Sequence, residues 1–394
     1  MFTYISMEIY IKVSQEEAMN NKEKIGTTEL TFLVMSICLA LFPAFGTATV
    51  INYGKNTAII SAILINSRIN ALYTLTGAIL PLFMILYITK FTTDKNILEV
   101  NDEKFKMFGK FINILYFIGI VFIGFCISWQ VINFTIGHLL TRTSYYVVGI
   151  ILFSVMSYAI AKGNEVILRS NLILTMLGSV LFIFIFIFLI PKIKIDNFLP
   201  IINVKKASVI STALIVPTFM VYPLVSILCI KKDEVNDKSK YNKSIIKGYI
   251  LAGIIIIVFI IFIIGIYGSN MASLFTFPEY YIFKKIKAFE FISRIENIAA
   301  ALIYISFFGN MASLMNFAKT CVKKALNLKN VRVINLATYI LSILVPILSI
   351  IFFKKYQHLQ ILKYYPIISS ILLIALIINF ILLFIAKKKN NLYP

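Results

Sequence analysis

Charge is scarce in this chain of 394 residues: Asp, Glu, Lys and Arg together make up 14% of it, against about a quarter in an ordinary soluble domain. Hydrophobic residues reach 60% and the mean hydropathy is +0.89, which excludes a soluble globular enzyme and a disordered chain alike. Groups that activate water or a nucleophile are nearly missing. There are two histidines, His138 and His358, no paired carboxylates within the apolar runs, and no Ser–His constellation, so no catalytic residue is assigned. The four cysteines, Cys38, Cys126, Cys229 and Cys321, lie far apart in or at the ends of apolar runs, without a CxxC or a His-rich tract. They read as small packing residues rather than metal or redox groups, and neither a metal site nor a cofactor is expected. The first 27 residues carry Glu8, Glu16, Glu17 and Glu23 beside Lys12, Lys22 and Lys24, with no apolar core for a cleavable signal, so residues 1–24 read as a polar tail.

Acidic residues are the scarcer sign, 17 against 38 basic, and 33 of the basic residues are Lys. Such an excess can mark nucleic-acid binding, but no basic face exists outside the connectors, and nucleic acid is not an expected partner. The chain is also rich in Ile, Asn, Lys, Phe and Tyr, the usage of an AT-rich genome.

What is abundant is long apolar runs. They fall at 28–65, 71–90, 108–137, 144–161, 171–190, 207–230, 247–268, 297–319, 332–353 and 366–386. A crossing of the bilayer takes roughly 20 apolar residues, so about ten crossings fit within residues 25–389, followed by a short tail at 390–394. Being apolar on most faces they read as helices, since an open strand cannot satisfy its backbone in lipid. Connectors on the N-terminal side of the membrane hold 24 of the 38 basic residues, which places both termini in the cytoplasm. Lys192, Lys194, Lys205 and Lys206 run against that bias. The longest outer connector, 269–296, interleaves aromatic and aliphatic residues with Lys284, Lys285, Lys287, Glu290, Arg294 and Glu296. It reads as a short interfacial helix, either a docking surface or a lid with solvated charges.

Two crossings are punctuated. The first contains Pro43 and Gly46, followed by Thr47, Thr49 and Asn52; the sixth has Pro217 and Pro223 around Thr218, Phe219 and Tyr222. Proline removes a backbone donor and glycine loosens the helix. One such break is merely a kink, but breaks five crossings apart are the pattern of two inverted five-helix repeats whose half-helix ends meet a substrate near the midplane. Pro43, Gly46, Thr47, Thr49, Thr218, Phe219 and Tyr222 are therefore candidate ligand-binding residues. Trp129 and Asn133 of the third crossing and Asn310 and Ser313 of the eighth are candidate wall residues; helix–helix hydrogen bonding is their plainer explanation.

Three stretches carry a resemblance to a known family. Residues 291–297, FISRIEN, are similar to its Phe-Ile-Glu-Arg-Ile-Glu-Ala stretch. Residues 159–169, AIAKGNEVILR, resemble its Ala-x-x-x-Gly-x-Glu-x-(Ile/Leu)-x-Arg connector. Residues 195–201, IDNFLPI, resemble its Asp-Asn-Leu-Leu-Pro stretch. The family is the spore germination permeases, the B subunits of endospore germinant receptors within the amino acid–polyamine–organocation superfamily. The resemblance implies an all-α polytopic membrane protein of LeuT/APC-like architecture, with broken first and sixth helices. It also implies a spore inner-membrane location, a receptor A subunit and a lipoprotein C subunit as partners, and a small-molecule germinant. Glu165, Arg169, Arg294 and Glu296 fall in the matched stretches as structural or gating residues. Met220, Val221 and Tyr222 stand where the family often has Gly-x-Glu, Asn310 stands where it has Lys, and residues 52–56 extend the first crossing. These departures imply a pocket that has lost charged groups.

Two functions fit: a germinant sensor, and a secondary amino-acid transporter of the vegetative membrane. No Asp or Glu lies well inside a crossing, which tells against a proton relay and leaves sodium coupling open.

Overall fold

Apolar runs of this length become helices because only helical hydrogen bonding closes the backbone on itself in lipid. A computed structural model describes residues 24–40, 46–48, 51, 79–199, 218–285, 296–354 and 358–390. Its helices are α1 (Thr27–Leu39), α2 (Leu80–Ile88), α3 (Ile97–His138), α4 (Tyr145–Lys162), α5 (Asn164–Leu189), α6 (Tyr241–Ala272), α7 (Pro278–Phe283), α8 (Glu296–Ala325), α9 (Val331–Phe353) and α10 (His358–Asn390). Among the described residues no strand occurs beyond one bridge, Ile25 to Val235. Among the described residues seven helices are long and apolar enough to span a bilayer, and shorter apolar helical segments stand at the first, second and sixth crossings. The chain is an all-α polytopic membrane protein.

The sixth crossing is not a continuous α-helix. One helical turn at 218–220 gives way to a turn and then to a 3₁₀ segment, Pro223–Cys229, where Pro223 supplies no amide to continue an α ladder. In the first crossing α1 ends at Leu39 and helical backbone returns at Gly46; Pro43 and Thr49 lie outside the described residues, as does Pro217.

The third crossing departs from its expected start at 108. The connector before it is helical from Ile97, opened by a reciprocal cap in which Asn96 Oδ1 accepts from the Glu99 amide and Glu99 Oε2 from the Asn96 amide, both at 3.0 Å. The chain kinks at Lys106, φ 47°, and folds back so closely that a Cβ on Gly109 would sit 2.0 Å from the Asn101 carbonyl oxygen. Asn113 closes the turn, its Nδ2 donating to Leu98 O and Asp102 Oδ1. The charges of this stretch belong to a capped helical arm rather than a loop.

The spans pack in two directions. α1 lies against α6 and α8, α3 against α8 and α10, and α4 against α9. α8 is the axis of the bundle, 72% of its most apolar window being buried against 28% for α5. Outward faces are apolar as well: Val155, Ile173, Val180, Ile183 and Leu336 stand exposed on the perimeter, where a bilayer would solvate them. α1 and α6 approach backbone to side chain at Gly248, where a Cβ would lie 2.4 Å from Thr31 O and 2.7 Å from Val34 Cβ. Gly248→Ala is expected to destabilise the chain by about 1–3 kcal/mol, the usual cost of overpacking. A thermal melt in detergent checks this, and an unchanged midpoint would mean that the two helices separate freely.

Connectors sort to two ends. Lys232 and Asp233 amides donate to Thr92 and Thr93 carbonyls, and Ile25 N to Glu234 O, at the end expected inside. At the opposite end Lys194 N and Asn197 Nδ2 both donate to Gly265 O.

Candidate functional site

α5 places Asn171, Thr175, Gly178, Ser179 and Phe182 on one face by helical spacing, and that face looks across at α1 and α8. Between them lies a cavity of about 70 Å³. Its walls are Met35, Ser36 and Leu39 of α1, Thr47 beyond it, Thr175, Gly178, Ser179 and Phe182 of α5, Ile255, Ile256 and Phe259 of α6, Leu302, Ile303, Ile305 and Ser306 of α8, and Glu279 and Phe283 of α7. Most hydroxyls here turn back on helix carbonyls: Thr175 to Asn171 O, Ser179 to Thr175 O, Ser306 to Leu302 O, and Ser36 across the helices to Ser306 O. The wall they leave is therefore largely apolar.

Glu279 is the exception. It is 2% exposed, it is the one charged residue lining the cavity among the described residues, and its Oε1 accepts a hydrogen bond from the Thr47 hydroxyl. A carboxylate held among Phe182, Phe259 and Phe283 is costly to bury unless hydrogen bonds or a cation meet it.

α7 separates this cavity from a vestibule of about 610 Å³, at the end expected outside, lined by His138, Tyr280, Lys284, Asn297, Ala300 and Tyr304. Glu279 faces one side of α7 and Tyr280 the other. The His138 ring holds α7 in place, 4.6 Å from Tyr280 and 5.2 Å from Phe277, while Phe134 meets Tyr280 edge-on at 5.4 Å. Thr135 and Tyr304 hydroxyls are 2.6 Å apart and tie α3 to α8 beside the vestibule. Lys284 Nζ stands 4.9 Å from the Tyr280 ring. The helix expected in this connector is buried over most of its length, including Glu279, Ile282 and Phe283.

Below the cavity is a polar node. Asn171 is fully buried, and neither its Oδ1 nor its Nδ2 has a hydrogen-bond partner among the described residues. Asn310 Nδ2 donates to Ile37 O at 2.8 Å, leaving its Oδ1 unpartnered. Buried polar atoms without partners are uncommon in native structures, and these two amides lie where α1, α5 and α8 meet.

The candidates read from sequence divide. Thr47 lines the cavity, Gly46 is buried beside it, and Asn310 belongs to the node. Ser313 is one turn further along α8 and bonds its own helix at Gly309 O. Phe219 stacks face to face on Tyr365 at 4.7 Å, Tyr365 OH donates to Thr218 O, and Tyr222 is buried, so the broken sixth crossing is packed against α10. Trp129 stacks on Tyr145 at 5.8 Å and Asn133 is half-buried; neither lines the cavity. Glu165 and Arg169 form an i,i+4 ion pair at 3.2 Å, substantially exposed. Arg294 and the Glu296 side chain lie outside the described residues. Glu279 and Asn171 were not singled out by sequence; Pro278 at the first helical position was the one local sign that Glu279 sits on a helix.

A family profile described as "Spore germination protein" matches residues 24–361. No curated protein sequence matches. Among solved structures, the fold is similar to a Na⁺-coupled sialic acid symporter in a substrate-bound outward-open state, with a TM-score of 0.58 and 12% identity, covering 89% of this chain and 79% of that one. It is equally similar to MhsT in complex with L-phenylalanine, with a TM-score of 0.58 and 14% identity, covering 89% and 87%. At such identities the likeness is one of fold, that of LeuT-type transporters.

Proposed function

The chain belongs to the spore germination protein family, and from that premise we propose that it is the transporter-like membrane subunit of a nutrient germinant receptor. It binds a small amino-acid-like germinant in the cavity between α1, α5, α6, α7 and α8, in the spore inner membrane, with both termini in the cytoplasm. A receptor A subunit and a lipoprotein C subunit read the bound state. The observation that carries this reading is the buried Glu279, hydrogen-bonded to Thr47 across an otherwise apolar cavity. An ammonium group bound there joins α7 to the helical stretch after α1, so a ligand favours the arrangement in which the two are together. A shift from 1:99 to 99:1 takes about 5.5 kcal/mol of differential affinity, so a small cavity calls for a poised equilibrium.

The test is germination of spores lacking this gene, scored against L-alanine, L-leucine, L-phenylalanine, isoamylamine and sugars. Loss of the response to one amine-bearing compound, restored by the intact gene, is the expected result. Normal germination overturns the receptor reading.

A second reading, a secondary transporter of the cell membrane, has its own support in the unpartnered Asn171 Oδ1 and Asn310 Oδ1. Two amide oxygens beside Ser36 and the end of α1 suit a coupling cation such as sodium, and one similar structure is a Na⁺-coupled symporter. Sodium-dependent uptake by growing cells, lost with the gene while germination stays normal, would favour it.

A further inference from the structure

At the end of the bundle opposite the vestibule, a concavity of about 510 Å³ gathers lysines from separate elements. Lys231 comes from the connector before α6, Lys319, Lys323 and Lys324 from the last turns of α8, and Lys329 from the segment after it. Lysines at the inner ends of membrane helices ordinarily reach outward into water. Here five converge on one cavity that, among the described residues, is lined by two carboxylates, Glu99 and Glu234.

The pairing is incomplete. Lys231 Nζ is 3.4 Å from Glu99 Oε2, and Lys324 Nζ is 3.2 Å from Asp102 Oδ2. Lys319 Nζ donates to a neutral acceptor, Ile160 O, at 2.6 Å. Lys323 and Lys329 have no acidic partner among the described residues. Glu234 accepts from Asn164 Nδ2 at 2.8 Å, and Asn316 Nδ2 donates on to Asn164 Oδ1 at 2.6 Å. This chain of polar contacts fixes the start of α5, the end of α8 and the connector before α6 around the same space. Gly163 and Asn164, where α5 begins, also line this wall.

We propose that this cavity is a binding site for a phosphate group, with Lys319, Lys323 and Lys329 as its cationic contacts. A compact dianion matches the surplus of ammonium groups, and its several oxygens can accept from lysines on different elements at once. The phosphate is either free in the cytoplasm or carried by an anionic lipid headgroup of the inner leaflet. Its occupancy ties the last turns of α8 to the segment that follows. The site is distinct from the cavity beside Glu279 and stands whether the chain senses or transports.

The test uses the full chain purified in neutral detergent and stripped of anionic lipid, with equilibrium dialysis against radiolabelled inorganic phosphate at constant ionic strength. Parallel thermal melts are run in neutral detergent and in phosphatidylglycerol or phosphatidylcholine nanodiscs. Saturable phosphate binding, weakened at least tenfold in the K323Q/K329Q double variant, identifies free phosphate as the ligand. Both lysines are exposed, and the variant is expected to melt like the parent in chloride. No dialysis binding, but a midpoint several degrees higher in phosphatidylglycerol that the double variant loses, identifies the headgroup. Phosphate salts also stabilise proteins non-specifically, so a rise retained in the double variant counts against the site. Absence of both effects overturns the proposal.

Discussion

Glu279→Gln is expected to raise the concentration of an amine-bearing germinant needed for half-maximal response by about one to two orders of magnitude, while the protein still assembles in the membrane. The amide keeps the shape of the carboxyl and can still accept from the Thr47 hydroxyl, so the contact between α7 and the stretch after α1 survives. What it loses is the charge. A hydrogen bond to a charged group contributes about 1.5–3 kcal/mol, and each 1.4 kcal/mol is tenfold in affinity. Glu279→Ala would be a poorer probe, because it also empties space beside Phe283. The readout is the dose–response of spores carrying only the variant, paired with its membrane abundance by immunoblot. An unchanged dose–response at normal abundance would mean that Glu279 does not meet the ligand and that the cavity beside it is not the sensing site. The Thr47→Val variant separates the two roles of this pair: it removes the bond between the elements but keeps the charge.

That Glu279 escapes a reading of the sequence has a physical reason. It lies in FPEYY, within a connector whose charges Lys284 and Lys285 are exposed, and sequence reports charge without reporting burial. Burial here depends on how His138 and Phe134 clasp Phe277 and Tyr280, contacts between residues that are well over a hundred positions apart. Trp129 drew notice because it is the only Trp, yet a neighbour no periodicity names, Tyr145, takes its ring face. Phe219 likewise finds Tyr365 from the last span. Span positions were legible because bilayer thickness sets them and no partner is required. The helical arm at 97–105 was not, since its Asp, Glu and Lys outweigh the Asn96–Glu99 cap in any composition-based reading. The breaks were legible as proline and glycine, and the sixth is there as a 3₁₀ segment. Which polar residues gather around them depends on rotations of α5 and α8 that a uniformly apolar helix does not record.

Gly309→Ala is expected to destabilise the chain through a single added methyl. Its Cβ would lie 2.0 Å from Asn171 Oδ1 and 2.2 Å from Ser36 Oγ, contacts that real Cβ atoms do not make. Both neighbours are fully buried, on α5 and α1 respectively, so neither can swing into solvent. Something must shift at the crossing of α1, α5 and α8, and overpacking of this kind costs about 1–3 kcal/mol. In a thermal melt of detergent-purified protein this would appear as a clear drop in midpoint. The mechanism is separable from general damage by a second change. Asn171→Ala removes the amide that the new methyl strikes, and it also removes two buried polar atoms that lack partners. The double variant should therefore recover part of the loss, with a coupling of about 0.5–3 kcal/mol between positions in contact. Additive effects would show that α5 and α8 do not meet at this point, and the polar node beneath the cavity would then need a different geometry. If the node instead carries a cation that the site requires, Asn171→Ala rescues stability without rescuing the response to ligand, because packing and ligation are then separate demands on the same residue.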